Sequence, residues 1–225
     1  MNKPKTMMEL AKQASGWHFD PSIPEKSFRE VAWFRKEWKP ELKAYLQAMQ
    51  SQGASNVITL GSYSGRNKHT EEEEMELWGY EKTQPFHSYM NISAYCEQGI
   101  EPPDFINSIV DLCELKFPVA EILRMQPGQM LPWHCDMYNS YRKEHGEDAN
   151  VIRYVVALDD WDWGHFIGIG NSVWHQWKRG QAIYWPRYMY HCAANSGRKS
   201  LLLFTITGQV QESSLHQKPL SIFDL

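Results

Sequence analysis

The sequence predicts a mainly β fold with helices (α+β): a double-stranded β-helix, or jelly-roll, core over residues 117–225. An N-terminal helical and mixed segment, residues 1–116, packs on it as part of one structural unit. Three observations carry that prediction. From residue 117 onward, short runs rich in β-branched and aromatic residues alternate with Gly, Pro and Asn turns, which reads as many short strands. Before it, apolar residues recur at three- and four-residue intervals over 27–50 and again over 102–116. The third is His134-Cys135-Asp136, answered by His191 fifty-five residues later, on strands that can bring the three polar groups together.

The elements follow in order. Phe28, Val31, Ala32, Phe34, Trp38, Leu42, Tyr45, Leu46 and Met49 mark a helical face, and Pro40 divides that run into two helices, the second starting at residue 40 or 41. Residues 57–60 read as a short strand. Residues 61–70 (GSYSGRNKHT) are small and polar, a loop placed to act as a lid or substrate lip. The acidic run 71–74 reads as a solvated helix start. A helix over 102–116 carries Phe105, Ile106, Ile109, Val110, Leu112 and Cys113 on its apolar side. Strands are expected at 119–125, 131–137, 151–158, 165–169, 181–185, 190–194 and 199–207. Pro127-Gly128, Gly146, Gly164, Gly170-Asn171, Arg179-Gly180 and Asn195-Ser196-Gly197 separate them.

Bulk properties exclude some classes of function. A net charge of −4 and a pI of about 6.1 give no overall basic field for nucleic acid or an anionic membrane. Nucleic acid is therefore disfavoured as a partner. No apolar run reaches transmembrane length, and residues 1–13 lack the apolar core of a signal peptide. Four cysteines (Cys96, Cys113, Cys135, Cys192) show no C-x-x-C pairing, so reduced, buried thiols in a cytoplasmic protein are expected.

The polar constellation carries the chemistry. Two imidazoles and one carboxylate can hold a non-haem Fe(II) on one face and leave its other positions open. Residues i and i+2 of a strand share a face, so His134 and Asp136 reach one metal while Cys135 points away. Two decoys lack this context. His18-Phe19-Asp20 runs into Pro21 without a strand pattern, and His145-Gly146-Glu147 lies in a polar stretch, 142–150, that reads as a loop. Cys135 and Cys192 flank the ligands but alternate to the other face, so a closed sulfur-rich zinc site is not expected. Trp133, Tyr138, Trp174 and Trp185 are candidate walls of a pocket.

The stretch from Met125-Gln126-Pro127-Gly128 through His134-Cys135-Asp136 and Arg179-Gly180-Gln181 to His191, Asn195, Gly197 and Arg198 resembles the Fe(II)- and 2-oxoglutarate-dependent oxygenase superfamily. Within it, the order of motifs is similar to the prolyl hydroxylases and the aspartyl/asparaginyl β-hydroxylases. The match covers roughly residues 117–208. The resemblance implies Fe(II) held by His134, Asp136 and His191, with 2-oxoglutarate and O2 as co-substrates and ascorbate as a candidate addition. It further implies hydroxylation of a peptidyl or free amino-acid residue, coupled to conversion of 2-oxoglutarate to succinate and CO2. By the same resemblance, Arg198 grips the far carboxylate of 2-oxoglutarate, with Ser200 adding a hydroxyl. Arg198 follows His191 by seven residues, closer than the family usually places this group.

Arg153, near the start of the apolar strand 151–158, is the rival for that far carboxylate, with a contact to 2-oxoglutarate or substrate implied by the resemblance, and Arg124 is a third candidate. Two other classes stay open on the sequence alone. One is a cupin-like metalloenzyme that uses the same ligands without 2-oxoglutarate. The other is a non-catalytic jelly-roll binding module.

Overall fold

Strand alternation sorts the apolar side chains into two separate cores, and that sorting fixes the architecture. The computed structural model describes residues 27–51, 57–60, 102–146 and 148–225. In chain order these form β1 (Arg29–Arg35), α1 (Lys39–Ser51), β2 (Val57–Leu60), α2 (Asp104–Leu112), β3 (Lys116–Met125), β4 (Met130–His134) and α3 (Asn139–His145). There follow β5 (Val151–Ala157), β6 (His165–Ile169), β7 (Ser172–Trp174), β8 (Gln181–Tyr184), β9 (His191–Asn195), β10 (Leu201–Gln209), a 3-10 turn (Leu215–Gln217) and β11 (Ser221–Asp224).

Among the described residues the strands make two sheets. The larger runs β11-β1-β8-β5-β10-β3-β2 and the smaller β4-β9-β6-β7. Apart from the parallel β1–β11 pair, all the strand pairs are antiparallel. The two sheets make a jelly-roll core, mainly β with a few helices.

On β5, Ile152, Tyr154 and Val156 point to one face and meet Trp38, Leu42, Phe105 and Ile109 of the helical layer. Val155 and Ala157 point to the other and join Ile167, Ile169, Trp185 and Leu203 between the sheets. The same parity divides β10, with Phe204 and Ile206 outside and Leu201 and Leu203 inside. Trp38 ties the helical layer to the sheet. Its ring stacks on Phe105 at 5.0 Å and its indole N–H donates to the Leu158 carbonyl at 2.9 Å.

The structure departs from the sequence reading at several elements. Residues 29–35, expected as helix, are strand β1. The register shifts between Glu30 and Ala32, a bulge that turns the neighbours Val31 and Ala32 (0% and 1% exposed) both inward. That break in alternation mimics helical spacing. Pro40 lies in the first turn of α1, where its missing N–H costs nothing. The 102–116 helix ends early, and Glu114 (φ 49°) and Phe117 (φ 51°) turn the chain into β3.

Residues 139–145, read in part as loop, form α3, entered through Tyr138 at φ 54°. Strands β7 and β11 carried no expectation, and β10 starts two residues later than expected. Residues on both sides of 116/117 share the larger sheet, since β1 pairs with β8 and β2 with β3. The expected lid 61–70, the acidic run 71–74 and His18-Phe19-Asp20 lie outside the described residues.

Candidate metal centre

The polar centre is built at one end of the smaller sheet. His134 closes β4 and His191 opens β9, and the two are direct register partners across the antiparallel pair. Their rings lie 4.2 Å apart at 55°. The strand expected over 131–137 stops at His134, so Asp136 comes from the segment that follows it. Its Oδ1 lies 4.0 Å from His134 Nε2 and its Oδ2 lies 3.7 Å from His191 Nε2. Among the described residues, these three offer ligand atoms that all lie within 4.8 Å of one another. Cys135 and Cys192 are not part of the group. Both are buried and in no disulfide, as is Cys113, while Cys96 lies outside the described residues.

The donor set fits a divalent metal such as iron on the chemistry of its atoms. The Met189 carbonyl lies 3.0 Å from His191 Nδ1 and can only accept, so Nδ1 carries the proton and Nε2 keeps its lone pair for a metal. Burial, reinforced by the neighbouring His134, pushes the His191 imidazole down to about 3. It therefore stays neutral, the form that ligates, through the physiological range. Two imidazoles and one carboxylate, without sulfur, suit a divalent metal with open positions better than a closed structural zinc.

Arg153 stands at the same place. Its Nη1 donates to Asp136 Oδ2 at 2.8 Å and its Nε to Thr207 Oγ1 at 2.9 Å, with only a fifth of the side chain exposed. A guanidinium held this way fixes the carboxylate and balances its buried charge. Beside it opens a cavity of about 60 Å3, onto which Arg153, His134, His191 and Trp185 all face.

The other sequence candidates fall elsewhere. Arg198 is exposed on the turn between β9 and β10 and does not line this cavity. The reason is the turn itself: the chain crosses the outer rim there and re-enters the inter-sheet core only at Leu201. Ser200 donates its hydroxyl to Gln126 Oε1 at 3.1 Å, and neither Ser200 nor Arg124 lines the cavity. Of the four aromatic candidates, Trp185 lines the cavity, with its ring 4.8 Å from that of His191. Trp174 packs in the inter-sheet core, Trp133 is partly exposed, and Tyr138 lies under the Arg153 guanidinium at 5.5 Å. His145 ends α3 and stacks on Phe117, away from the triad.

Three supporting residues escaped the sequence reading. Thr207 orients Arg153. Arg187 reaches the Met137 carbonyl at 3.4 Å and steadies the segment after Asp136. Thr205, on the cavity wall, keeps a buried hydroxyl oxygen without a hydrogen-bond partner among the described residues. Only Arg187 had a local signal, a cation four residues before the distal His. Asn195, noted in the motif, acts as a clamp. It donates to the Met125 and Lys199 carbonyls at 2.9 and 2.7 Å, and its Oδ1 accepts from Gly197 N at 3.0 Å. That ties the Pro127-Gly128 turn to the end of β9 and holds β4 beside it.

A jelly-roll with a two-histidine, one-carboxylate group at the end of its smaller sheet is the class that the fold and site define. The chain is similar to several solved structures, one of them over most of its length. A prolyl-4-hydroxylase from Pseudomonas putida superposes with a TM-score of 0.50 at 12% identity, covering 91% of this chain and 100% of that one. The cupin domain of Schizosaccharomyces pombe Cnp3 matches 41% of this chain and 56% of its own, with a TM-score of 0.31 and 14% identity. A cupin 2 conserved barrel protein from Salinispora arenicola gives 0.30 at 10% identity, covering 41% of this chain and 64% of that one. No protein-family model and no curated protein matches the chain. Among the described residues, no helix is long and apolar enough to cross a membrane.

Proposed function

We propose that this protein is a non-haem Fe(II) dioxygenase that couples oxidative decarboxylation of a 2-oxo acid to hydroxylation of a peptidyl or free amino-acid residue. The sequence resemblance implies 2-oxoglutarate as that acid. The observation that carries the reading is the convergence of His134, Asp136 and His191 beside a cavity that Arg153 also faces. The fold shared with a prolyl-4-hydroxylase is consistent with it.

In this reading His134, Asp136 and His191 hold the iron, whose contribution is the activation of O2 at the expense of the 2-oxo acid. The chain's own residues do the rest. His191 is held in its ligating tautomer by the Met189 carbonyl, and Asp136 is held by Arg153. The Arg153 guanidinium, next to the triad, would pair with a carboxylate of the 2-oxo acid. Trp185 and the aliphatic wall exclude water. The buried cysteines outside any disulfide fit a reducing compartment such as the cytoplasm.

The deciding experiment is CO2 release from 2-oxo acids, 2-oxoglutarate among them, by the purified protein with Fe(II) and ascorbate. Slow release that vanishes in His134→Ala is the expected result. A metal-loaded protein that neither binds nor turns over any 2-oxo acid would instead support a second reading, a cupin-like metalloenzyme that works without one. The observation favouring that alternative is that Arg153 is the one Arg or Lys among the described residues on the cavity wall.

The two arginine candidates separate cleanly. Arg153→Lys loses the forked geometry that serves Asp136, Thr207 and a carboxylate together, so 2-oxo acid affinity should fall about 10–100-fold. Arg198→Ala removes an exposed side chain off the cavity and should change affinity less than about twofold. Isothermal titration of both variants loaded with Mn(II) measures the contrast. The reverse order would return the carboxylate role to Arg198.

A further inference from the structure

We infer that Arg142 and Arg187 form a cationic site outside the metal cavity that takes a carboxylate of a peptide substrate, an acidic side chain or a free chain end. The inference rests on the reading above, that the triad holds a metal and the substrate is peptidyl.

Both arginines are anchored to the residues that follow the ligand Asp136. Arg187 lies between β8 and β9, and its Nη2 donates to the Met137 carbonyl at 3.4 Å. Its guanidinium lies over the Tyr188 ring at 4.3 Å, which limits where it can turn. Arg142 stands one turn along α3, where its N–H donates to the Tyr138 carbonyl at 2.9 Å. The helix is fixed in rotation by its neighbour Tyr141, which is buried, with its hydroxyl 2.9 Å from each of the Lys116 and Phe117 carbonyls. Neither arginine lines the cavity beside the triad. Tyr138 separates them from Arg153, whose guanidinium lies 5.5 Å from its ring.

Two cations held close together repel, and partial burial raises that cost. Burial, and then the like charge of Arg142, hold the Arg187 guanidinium below its ordinary pKa. It stays cationic at neutral pH all the same. Arg35, Arg153 and Arg179 each face a carboxylate, those of Asp224, Asp136 and Glu37. Among the described residues no ion pair offsets Arg142 or Arg187, and each keeps a buried Nε–H without a hydrogen-bond partner. A bound carboxylate offsets both charges at once, and guanidinium forks match its two oxygens. Met137 is one Cα step of about 3.8 Å from Asp136, and an extended peptide spans about 3.3–3.6 Å per residue. A residue within roughly three places of the one at the metal therefore reaches the pair.

The test reads binding rather than turnover. Protein loaded with Mn(II), in excess 2-oxoglutarate, is titrated with acetyl-Gly-Asp-Gly-amide, acetyl-Gly-Asn-Gly-amide and acetyl-Gly-Asn-Gly with a free terminus. Broadening of the peptide proton resonances by Mn(II) reports binding beside the metal. At least one carboxylate peptide is expected to bind about tenfold tighter than the neutral one, the effect of one charge-assisted pair. Preference for the Asp peptide assigns the site to an acidic side chain, and preference for the free terminus to a chain end. Arg142→Gln should erase the preference and leave Mn(II) affinity unchanged, while Arg142→Lys, which keeps the charge and loses the fork, should restore part of it. Equal binding or none by all three peptides, or an unchanged preference in Arg142→Gln, overturns the inference and leaves the oxygenase reading standing. So does a loss confined to 2-oxoglutarate affinity in Arg142→Gln, which would give the pair to the co-substrate. Failure of the unsubstituted protein to bind Mn(II) overturns both.

Discussion

Replacing His191 with alanine is expected to abolish metal binding while leaving the barrel folded. His191 supplies one of three ligand atoms that lie within 4.8 Å of one another, and its Nε2 is presented by a fixed hydrogen bond from Nδ1 to the Met189 carbonyl. Two remaining ligands, one of them tied to Arg153, cannot hold a first-row metal against water at micromolar concentration. A metal that binds only the folded state raises its stability by RT ln(1 + [M]/Kd), about 2.7 kcal/mol at a hundredfold excess over Kd. The unsubstituted protein should therefore show a rise in Tm with Mn(II) or Fe(II) that chelator reverses, and His191→Ala should show none. The fold should survive because the imidazole sits at the end of β9, while the inter-sheet core lies along Ala193, Ile167 and Leu203. A metal-dependent rise that persists in the variant would place the metal elsewhere.

The second large effect is structural. Gly180→Ala should destabilise the protein by about 4 kcal/mol, through left-handed backbone strain added to a collision that cannot relax. Gly180 adopts φ +83° in the turn before β8, and a Cβ there would meet the Phe34 carbonyl oxygen at 1.8 Å. That carbonyl belongs to β1, and the same turn exchanges hydrogen bonds with its neighbours. Gly180 N donates to the Ala157 carbonyl and Phe34 N to the Gly180 carbonyl, both at 2.8 Å. The backbone cannot yield without unpairing β1 from β8. Gly128→Ala provides the control. Its φ is +86°, yet nothing lies within 4 Å of the added carbon, so only about 1 kcal/mol of strain should appear. Urea unfolding of both variants reads the difference, and equal losses would show that the Phe34 contact is not rigid.

Much of the fold was legible because most strands after residue 117 are bracketed by residues with specific turn chemistry. Pro127-Gly128 and Arg179-Gly180 fall at turns with positive φ at their glycines, and Asn195-Ser196-Gly197 forms the bend after β9. Helix α2 was legible for the same local reason, an apolar face at 3.6-residue spacing. Strand β1 was not. Its bulge, and its pairing with β8 and β11 more than a hundred residues away, are non-local facts that no window around Val31 contains. Likewise α3 is short and polar and reads as loop, because its order comes from Tyr141, whose hydroxyl donates to the Lys116 and Phe117 carbonyls.

The sequence by itself determined the donor chemistry: His134, Asp136 and His191, the spacing that lets the first two meet, and the turns that deliver the third. Those features depend on residue type and close spacing along the chain, which are local, although Asp136 lies just past the end of β4 rather than on the strand. Only the tertiary structure decided which cation shares their cavity and what lines its far end. Arg153 faces inward because Val155 and Ala157, two and four residues on, fill the space between the sheets, while Arg198 lies on a turn beyond the reach of that packing. Parity with respect to a core is set by what the opposite face covers. Here that is the helical layer of Trp38, Phe105 and Ile109, a contact between distant parts of the chain.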